Sequence, residues 1–296
     1  MTRLSAIPLD LSRFPAPVAI RGVDFDRLRL SGLSLLKQAF AQFGIDWDVE
    51  TIEGTPGAII NRALTFREFL AYVRINDAVR AVMVAFATGS DLDHLGAFHG
   101  VERRTISAGV AESDSEFRRR VLLAPEAWAA AGPLFAYVFH ALGADPRVLN
   151  ADVWTKPGTG IVRVAIQSRE GAGTADSDLV QAVSTHLNRA DIKPLTDQVV
   201  VTSIVNVPYQ ISVRGSVLFG PDPLTAKAEA EESLAAMAAE RRTPSRDVPR
   251  SAVFAAAMVG SMDKVIVDSP AEDIASGYGE VAYCTGIHVE VSAHDG

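Results

Sequence analysis

Asp91, Asp93, His94, His99 and Glu102 fall within twelve positions. Carboxylates and imidazoles gathered so closely are the side chains that bind divalent cations. The chemistry they would support is metal-dependent hydrolysis, with Asp91, Asp93 and His99 as its working residues. The spacing argues for another reading. His94 and His99 are five apart, not the four that place two imidazoles on one helical face. Gly89 reads as the glycine just past the end of a preceding helix. Ser90 then caps the next helix, and Asp91 and Asp93 sit in its first turn, where the helix dipole favours negative charge.

The other polar clusters also have local explanations. Gly158-Thr159-Gly160 resembles a phosphate loop in composition but lies between two strands and opens no helix, so it reads as a hairpin turn. Ser261 lacks the flanking glycine pattern of a nucleophile elbow. His140, His186, His288 and His294 show no spacing to a nucleophile. The lone cysteine, Cys284, reads as a small buried apolar residue near a strand. Arg118-Arg119-Arg120 reads as a solvated helix face, with an acidic protein partner as the next explanation. No catalytic residue, metal ligand or cofactor site is expected.

The elements around these residues divide into a helical part and two mixed parts. Pro8, Pro15 and Pro17 block a helix over residues 1–22, which read as an extended arm. Helices dominate 24–98. Leu33, Leu36, Phe40 and Phe43 repeat at helical spacing, with Gly44 as a stop. Thr55-Pro56 is a helix start, Thr as N-cap and Pro at the first position. From there one helix is expected to run to Ala87. Its stripe is Ile59, Ala63, Phe66, Leu70 and Val73, shifting to Ile75, Val79, Val82 and Phe86. A helix of this length is either a long core helix or one that packs on partner chains.

Over 111–205, Ser113 and Glu116 form a capping-box pattern. Helices follow at 133–142 and 177–189, with strands at 151–155, 162–166 and 198–205. Over 206–296, Tyr209, Ile211, Val213, Gly215, Val217 and Phe219 alternate with polar residues as a half-buried strand. Helices at 224–241 and 250–259 and strands at 264–267 and 287–292 complete it. The expectation is an α+β protein: an N-terminal extended arm and long helices, then two small α+β sandwich modules. The expected boundaries are 1–110, 111–205 and 206–296.

With 296 residues, 48% hydrophobic and 22% charged, the chain can bury a core unaided. A net charge of −8 argues against nucleic acid as a partner. One cysteine excludes an internal disulfide, which fits synthesis in a reducing cytoplasm. The first twenty residues have no continuous apolar run and are not expected to be a signal peptide. No apolar run approaches the roughly 18–20 residues of a membrane span.

Segments spread over nearly the whole chain resemble one family. They are Phe14-Pro15-Ala16-Pro17-Val18, Val23-Asp24-Phe25, Arg74-Ile75-Asn76-Asp77-Ala78-Val79-Arg80-Ala81-Val82-Met83 and Thr88-Gly89-Ser90-Asp91-Leu92-Asp93. Next come Glu112-Ser113-Asp114-Ser115-Glu116-Phe117-Arg118, Ala131-Gly132-Pro133 and Ala144-Asp145-Pro146-Arg147-Val148. Lys193-Pro194-Leu195-Thr196-Asp197 and Val207-Pro208-Tyr209-Gln210-Ile211 complete the series. In this number and order they resemble the baseplate J-like family of contractile phage tails. The resemblance implies a structural wedge protein of the virion tail baseplate, assembled in the host cytoplasm. It implies as partners a second copy, a smaller companion wedge protein, a sheath-initiator-like baseplate protein and the central hub, with no membrane. N-terminal helices would form a bundle, and six wedges a ring that changes diameter on contraction. The interface residues expected from the helical stripes are Leu33, Leu36, Phe40, Phe66, Leu70, Val79, Val82 and Phe86. Two other readings compete, the metal-dependent hydrolase and a free α+β domain that binds a small ligand. The alanine-rich stretch 226–239 departs from the family in its few large apolar residues.

Overall fold

The structure is a computed structural model that describes residues 11, 15–20, 22–47, 54–107, 109–128, 133–218 and 222–294. The chain is α+β and divides into two compact units, Asp10–Glu102 and Arg103–Gly296.

Three helices make up most of the described residues of the first unit. Helix α1, Phe25–Gln42, starts where the Asp24 carboxylate accepts from Arg27 N at 2.8 Å. It stops at Phe43 and Gly44, as the glycine implied. Helix α2, Pro56–Ala81, opens on Thr55, whose hydroxyl accepts from Ala58 N, with Pro56 in the first turn. Its 26 residues span about 39 Å.

The helix ends six residues before the expected Ala87. Met83 N donates to Arg80 O at 3.1 Å, and Phe86 N and Ala87 N both donate to Met83 O. These bonds close the last turn tightly and spend its carbonyls on separate turns. Gly89 consequently opens helix α3, Gly89–Phe98, and does not close α2. Helix α3 ends in a Schellman motif, with Gly100 N donating to Ala97 O and Val101 N to Gly96 O.

The second unit begins with a short antiparallel hairpin, β1 (Thr105–Ser107) and β2 (Val110–Ala111), too brief to leave a periodic signal. Helices α4, Asp114–Ala127, and α5, Leu134–Ala144, follow. Strands β3 (Val148–Thr155) and β4 (Ile161–Ser168) pair antiparallel. Helix α6, Ser177–Leu187, crosses over to β5, Gln198–Ser203, which pairs parallel to β4. Tyr137, Leu142, Val164, Ile166, Leu179, Val183 and Leu187 form the core of this sheet and its helices.

A second sheet has the order β7-β6-β8. Strand β6, Val205–Leu218, is followed by helices α7, Pro223–Arg241, and α8, Arg250–Ala257, and then by β7, Lys264–Ser269, and β8, Glu280–His294. Phe219, expected at the end of β6, lies outside the described residues. Tyr209, Ile211, Val213 and Val217 face inward as the alternation required. The alanine-rich α7 buries Ala226, Ala230 and Leu234 and packs on β8 and α8. Methyl side chains let a helix backbone lie close to a sheet, so few large residues are needed there.

The two sheets meet at a polar and aromatic joint. Only Ile204, itself buried, separates β5 from β6, and it packs with Ala165, Val281 and Trp154. Trp154 stacks on Tyr278, with centroids 5.7 Å apart. Asp152 Oδ2 accepts from Ser245 Oγ at 2.6 Å and from Gly279 N at 2.8 Å. Gln167 Nε2 donates to Arg242 O, and Asn206 Nδ2 to Ala172 O. Gly279 has φ +73°, and a Cβ there would stand 3.0 Å from Trp154 and 3.1 Å from Ala165. Hydrogen bonds to a charged acceptor contribute about 1.5–3 kcal/mol each. Asp152→Ala is expected to lower unfolding free energy by about 2–4 kcal/mol, and Gly279→Ala by about 2 kcal/mol or more. Urea denaturation of the full chain measures both; values within 0.5 kcal/mol, roughly the spread of ordinary surface changes, would show that the joint contributes little.

Candidate functional site

The cluster that first suggested chemistry is dispersed by the fold. Asp91 lies exposed in the first turn of α3, Asp93 just beyond that turn and not in it as expected, and His99 caps the other end. Among the described residues no three His, Cys, Asp or Glu side chains are placed to hold a metal ion. Gly158-Thr159-Gly160 is the β3–β4 hairpin turn, closed by Thr159 N donating to Lys156 O. Cys284 lies half-buried in β8. The histidines are less scattered than their numbers imply. His140 on α5 and His186 on α6 stand with ring centroids 6.1 Å apart.

The arginine run is the clearest departure from expectation. Arg120 is 8% exposed and pairs with Glu112 at 2.6 Å. Arg119 Nη2 donates to Asn150 Oδ1 at 2.6 Å. The helix therefore turns two of the three guanidiniums inward. Ser113 caps α4 as expected, accepting from Glu116 N at 3.3 Å. The Glu116 carboxylate pairs with Arg169 across the unit.

The feature with functional weight lies on the helical pair α1 and α2. The two buried residues of α2 are polar: Asn61 is 5% exposed and Thr65 3%. They share a stripe with Phe69 and Asn76 that runs at spacings of four, four and seven residues, one face of a helix. Asn61 Nδ2 donates to Arg29 O on α1 at 3.0 Å. Gly32 faces it so closely that a Cβ would lie 2.2 Å from Asn61 Oδ1. Phe69 meets Phe25 edge to face. Asn76 accepts from Ile20 N at 2.9 Å and donates to Ile20 O at 3.2 Å. A segment of the expected N-terminal arm is thereby held on α2 by both backbone groups of one residue.

Because the polar stripe is inside, the apolar one is outside. Ile59, Ile60, Leu64, Phe66, Leu70, Val73 and Ile75 are all exposed, between 36% and 58%. A largely apolar groove of about 570 Å³ is lined by Phe25, Ile59, Ala63, Phe66 and Phe69, together with Arg62. Of the residues expected at an interface, Phe66 and Leu70 lie on this outward face. Leu33, Leu36, Phe40 and Val79 are half-covered within the unit. Val82 and Phe86 fall beyond the end of α2; Val82 is 69% exposed and Phe86 half-buried. Ile59, Ile60 and Leu64 form the exposed end of the face. Ile59 stood in the expected stripe, whereas Ile60 and Leu64 fell between its members.

A folded module that presents an apolar face to solvent, beside polar groups engaged in caps, turns and ion pairs, has the make-up of an assembly subunit, a structural protein. The chain belongs to the baseplate J-like family. The baseplate J-like N-terminal domain matches residues 53–109, the central domain 129–203 and the C-terminal domain 209–290. The chain is similar to baseplate protein J of Escherichia phage P2, with 31% identity over 299 aligned residues, 97% of this chain and 99% of that protein. It is a structural phage-baseplate protein and not an enzyme. None of the described helices is long and apolar enough to cross a membrane.

Two outcomes follow from this geometry. Gly32→Ala should drive Asn61 off α1 and reduce hydrogen-exchange protection of α1 and α2 by about tenfold or more, roughly 1.4 kcal/mol, while amides of β4 and β6 keep theirs. Unchanged protection would mean that the Asn61–Gly32 contact does not hold the pair. Burial, with a nearby histidine or arginine, holds both His140 and His186 below the usual pKa of 6.5. The folded chain thus keeps them neutral, and unfolding takes up protons below pH 6.5. Stability should fall as pH drops below that value, and less steeply in His140→Gln, as read from melting between pH 5 and 7.

Proposed function

We propose that this chain is a wedge component of a contractile-tail baseplate, in which the outward face of α2 packs against other chains. The observation that carries the reading is the inverted burial of that helix, polar residues within and large aliphatic residues without. Each half-exposed side chain of that face would contribute about 1 kcal/mol on being covered. Left in water, a contiguous face of this kind invites association. The partners proposed are a second copy of this chain and a smaller companion wedge protein. Their helices would complete a bundle over Phe66, Leu70, Val79, Val82 and Phe86, with Leu33, Leu36 and Phe40 at its rim. Six such wedges would close around the hub beside a sheath-initiator-like protein, in the tail baseplate of the virion.

The proposed division of labour follows the parts 1–110, 111–205 and 206–296. The first would build the wedge, and the other two would contact neighbouring subunits in the ring. In this arrangement the two sheets move as one piece, since the Asp152 joint ties them.

Co-expression with neighbouring tail genes, followed by sizing, tests the reading. The unaltered chain should elute in a complex with the companion. Leu64→Asp and Leu70→Asp should abolish that complex, since an unpaired buried carboxylate costs several kcal/mol, roughly 3–5. Both variants should keep the melting point of the second unit, because neither position lies in it. Normal co-purification of both variants would overturn the role given to α2.

A further inference from the structure

The described residues of the second unit contain a cluster of guanidiniums that outnumbers its carboxylates. Arg104, Arg119, Arg120 and Arg169 line one cavity together with Glu112 and Glu116, four positive charges against two negative. Arg120 is matched by Glu112 and Arg169 by Glu116. Asp145, the next carboxylate, is held by Arg147 at 2.9 Å and does not line the cavity. Arg104 donates to the carbonyls of Leu142 and Gly143 at the end of α5, and Arg119 to the neutral amide of Asn150. Each is thus bonded only to neutral acceptors, although Glu112 and Asp145 act on Arg104, and Glu116 on Arg119, through space. The Nε of Arg119 is buried with no hydrogen-bond partner among the described residues. The walls are otherwise apolar, formed by Ile106, Leu142, Pro146, Val148 and Leu149.

Burial pushes both Arg104 and Arg119 down to about 10, and at Arg104 the neighbouring charge of Arg120 adds to it. Guanidinium keeps its proton in proteins, so the strain is relieved by a counter-charge and not by deprotonation. The cavity holds about 30 Å³. A water needs about 10–15 Å³ on the same measure, so the room is for at most two or three atoms of that size and not for a phosphate.

We infer that this cavity, with four guanidiniums and two carboxylates in its wall, is a binding site for a small monovalent anion of halide size, held by Arg119 Nε and the guanidinium of Arg104. The anion would join α4, the end of α5 and the first residues of β3, all of which line the cavity. It would complete the packing of the second unit independently of the helical face assigned to wedge assembly.

The test uses the full chain with bromide and chloride. Crystals soaked in bromide should give an anomalous peak in the cavity, within hydrogen-bonding distance of Arg119 Nε. Melting should be compared in chloride and in gluconate, an anion too large to enter, at equal ionic strength. Raising chloride from about one to about ten times its dissociation constant should lift the melting point by about 2–4 °C over gluconate. Arg119→Gln should remove that difference, whereas Arg163→Gln, an exposed arginine on β4, should keep it. A cavity without bromide, or identical melting in the two salts, would overturn the inference. If Arg119→Gln fails to fold, the bromide map of the unaltered chain decides the question alone.

Discussion

The contact of Asn61 with α1 determines what the helical unit presents to its surroundings. A side-chain amide buried between two helices must find partners or lose free energy. Asn61 finds the Arg29 carbonyl, and the missing side chain of Gly32 leaves the space it occupies. Once that pair is set, the rotation of α2 about its axis is set too. Leu64, Leu70 and Val73 then point away from α1 because Asn61, Thr65 and Phe69 point toward it. The outward apolar face is a consequence of helical periodicity acting on one polar anchor.

This logic inverts the rule by which sequences are usually read. Hydrophobic spacing identified the helix as far as Ala81, and Thr55-Pro56 marked its start, because caps and propensities are local. The same spacing did not say which face was covered within the chain. Asn61, Thr65 and Asn76 form a stripe as regular as the apolar one, but polar residues at helical spacing ordinarily read as a solvated face. The end of the helix was also hidden. Residues 82–86 are apolar enough to continue it, and only the turn bonds to Arg80 and Met83 end it.

In the second unit, legibility followed element length. Strand β6 alternates cleanly and was readable almost to its ends. The β1–β2 hairpin was too short to register. Strand β8 was recognised only in its second half, since Tyr283, Cys284, Thr285 and Gly286 break the alternation where its pairing with β6 shifts register between Tyr209 and Gln210. Arg119 and Arg120 were misread for a related reason. A charge run reports solvation only when its partners are absent; Glu112 sits just ahead of the same helix, and Asn150 lies beyond α5 in β3, 31 residues from Arg119. The resemblance of ordered segments carried the family further than any single element could.

The pairing of β6 with β8 has a mechanical meaning. The strands run parallel from Val205 opposite Glu280 to Leu218 opposite His294. The chain enters this pair at the start of β6 and leaves it at the end of β8, at opposite ends of the ladder. A pull between those two points slides one strand along the other, so the ladder bonds share the load together and do not open in succession. Shear of this kind resists tension far better than unzipping does. A structural part loaded between those two points gains from having strand β8 fastened in that geometry.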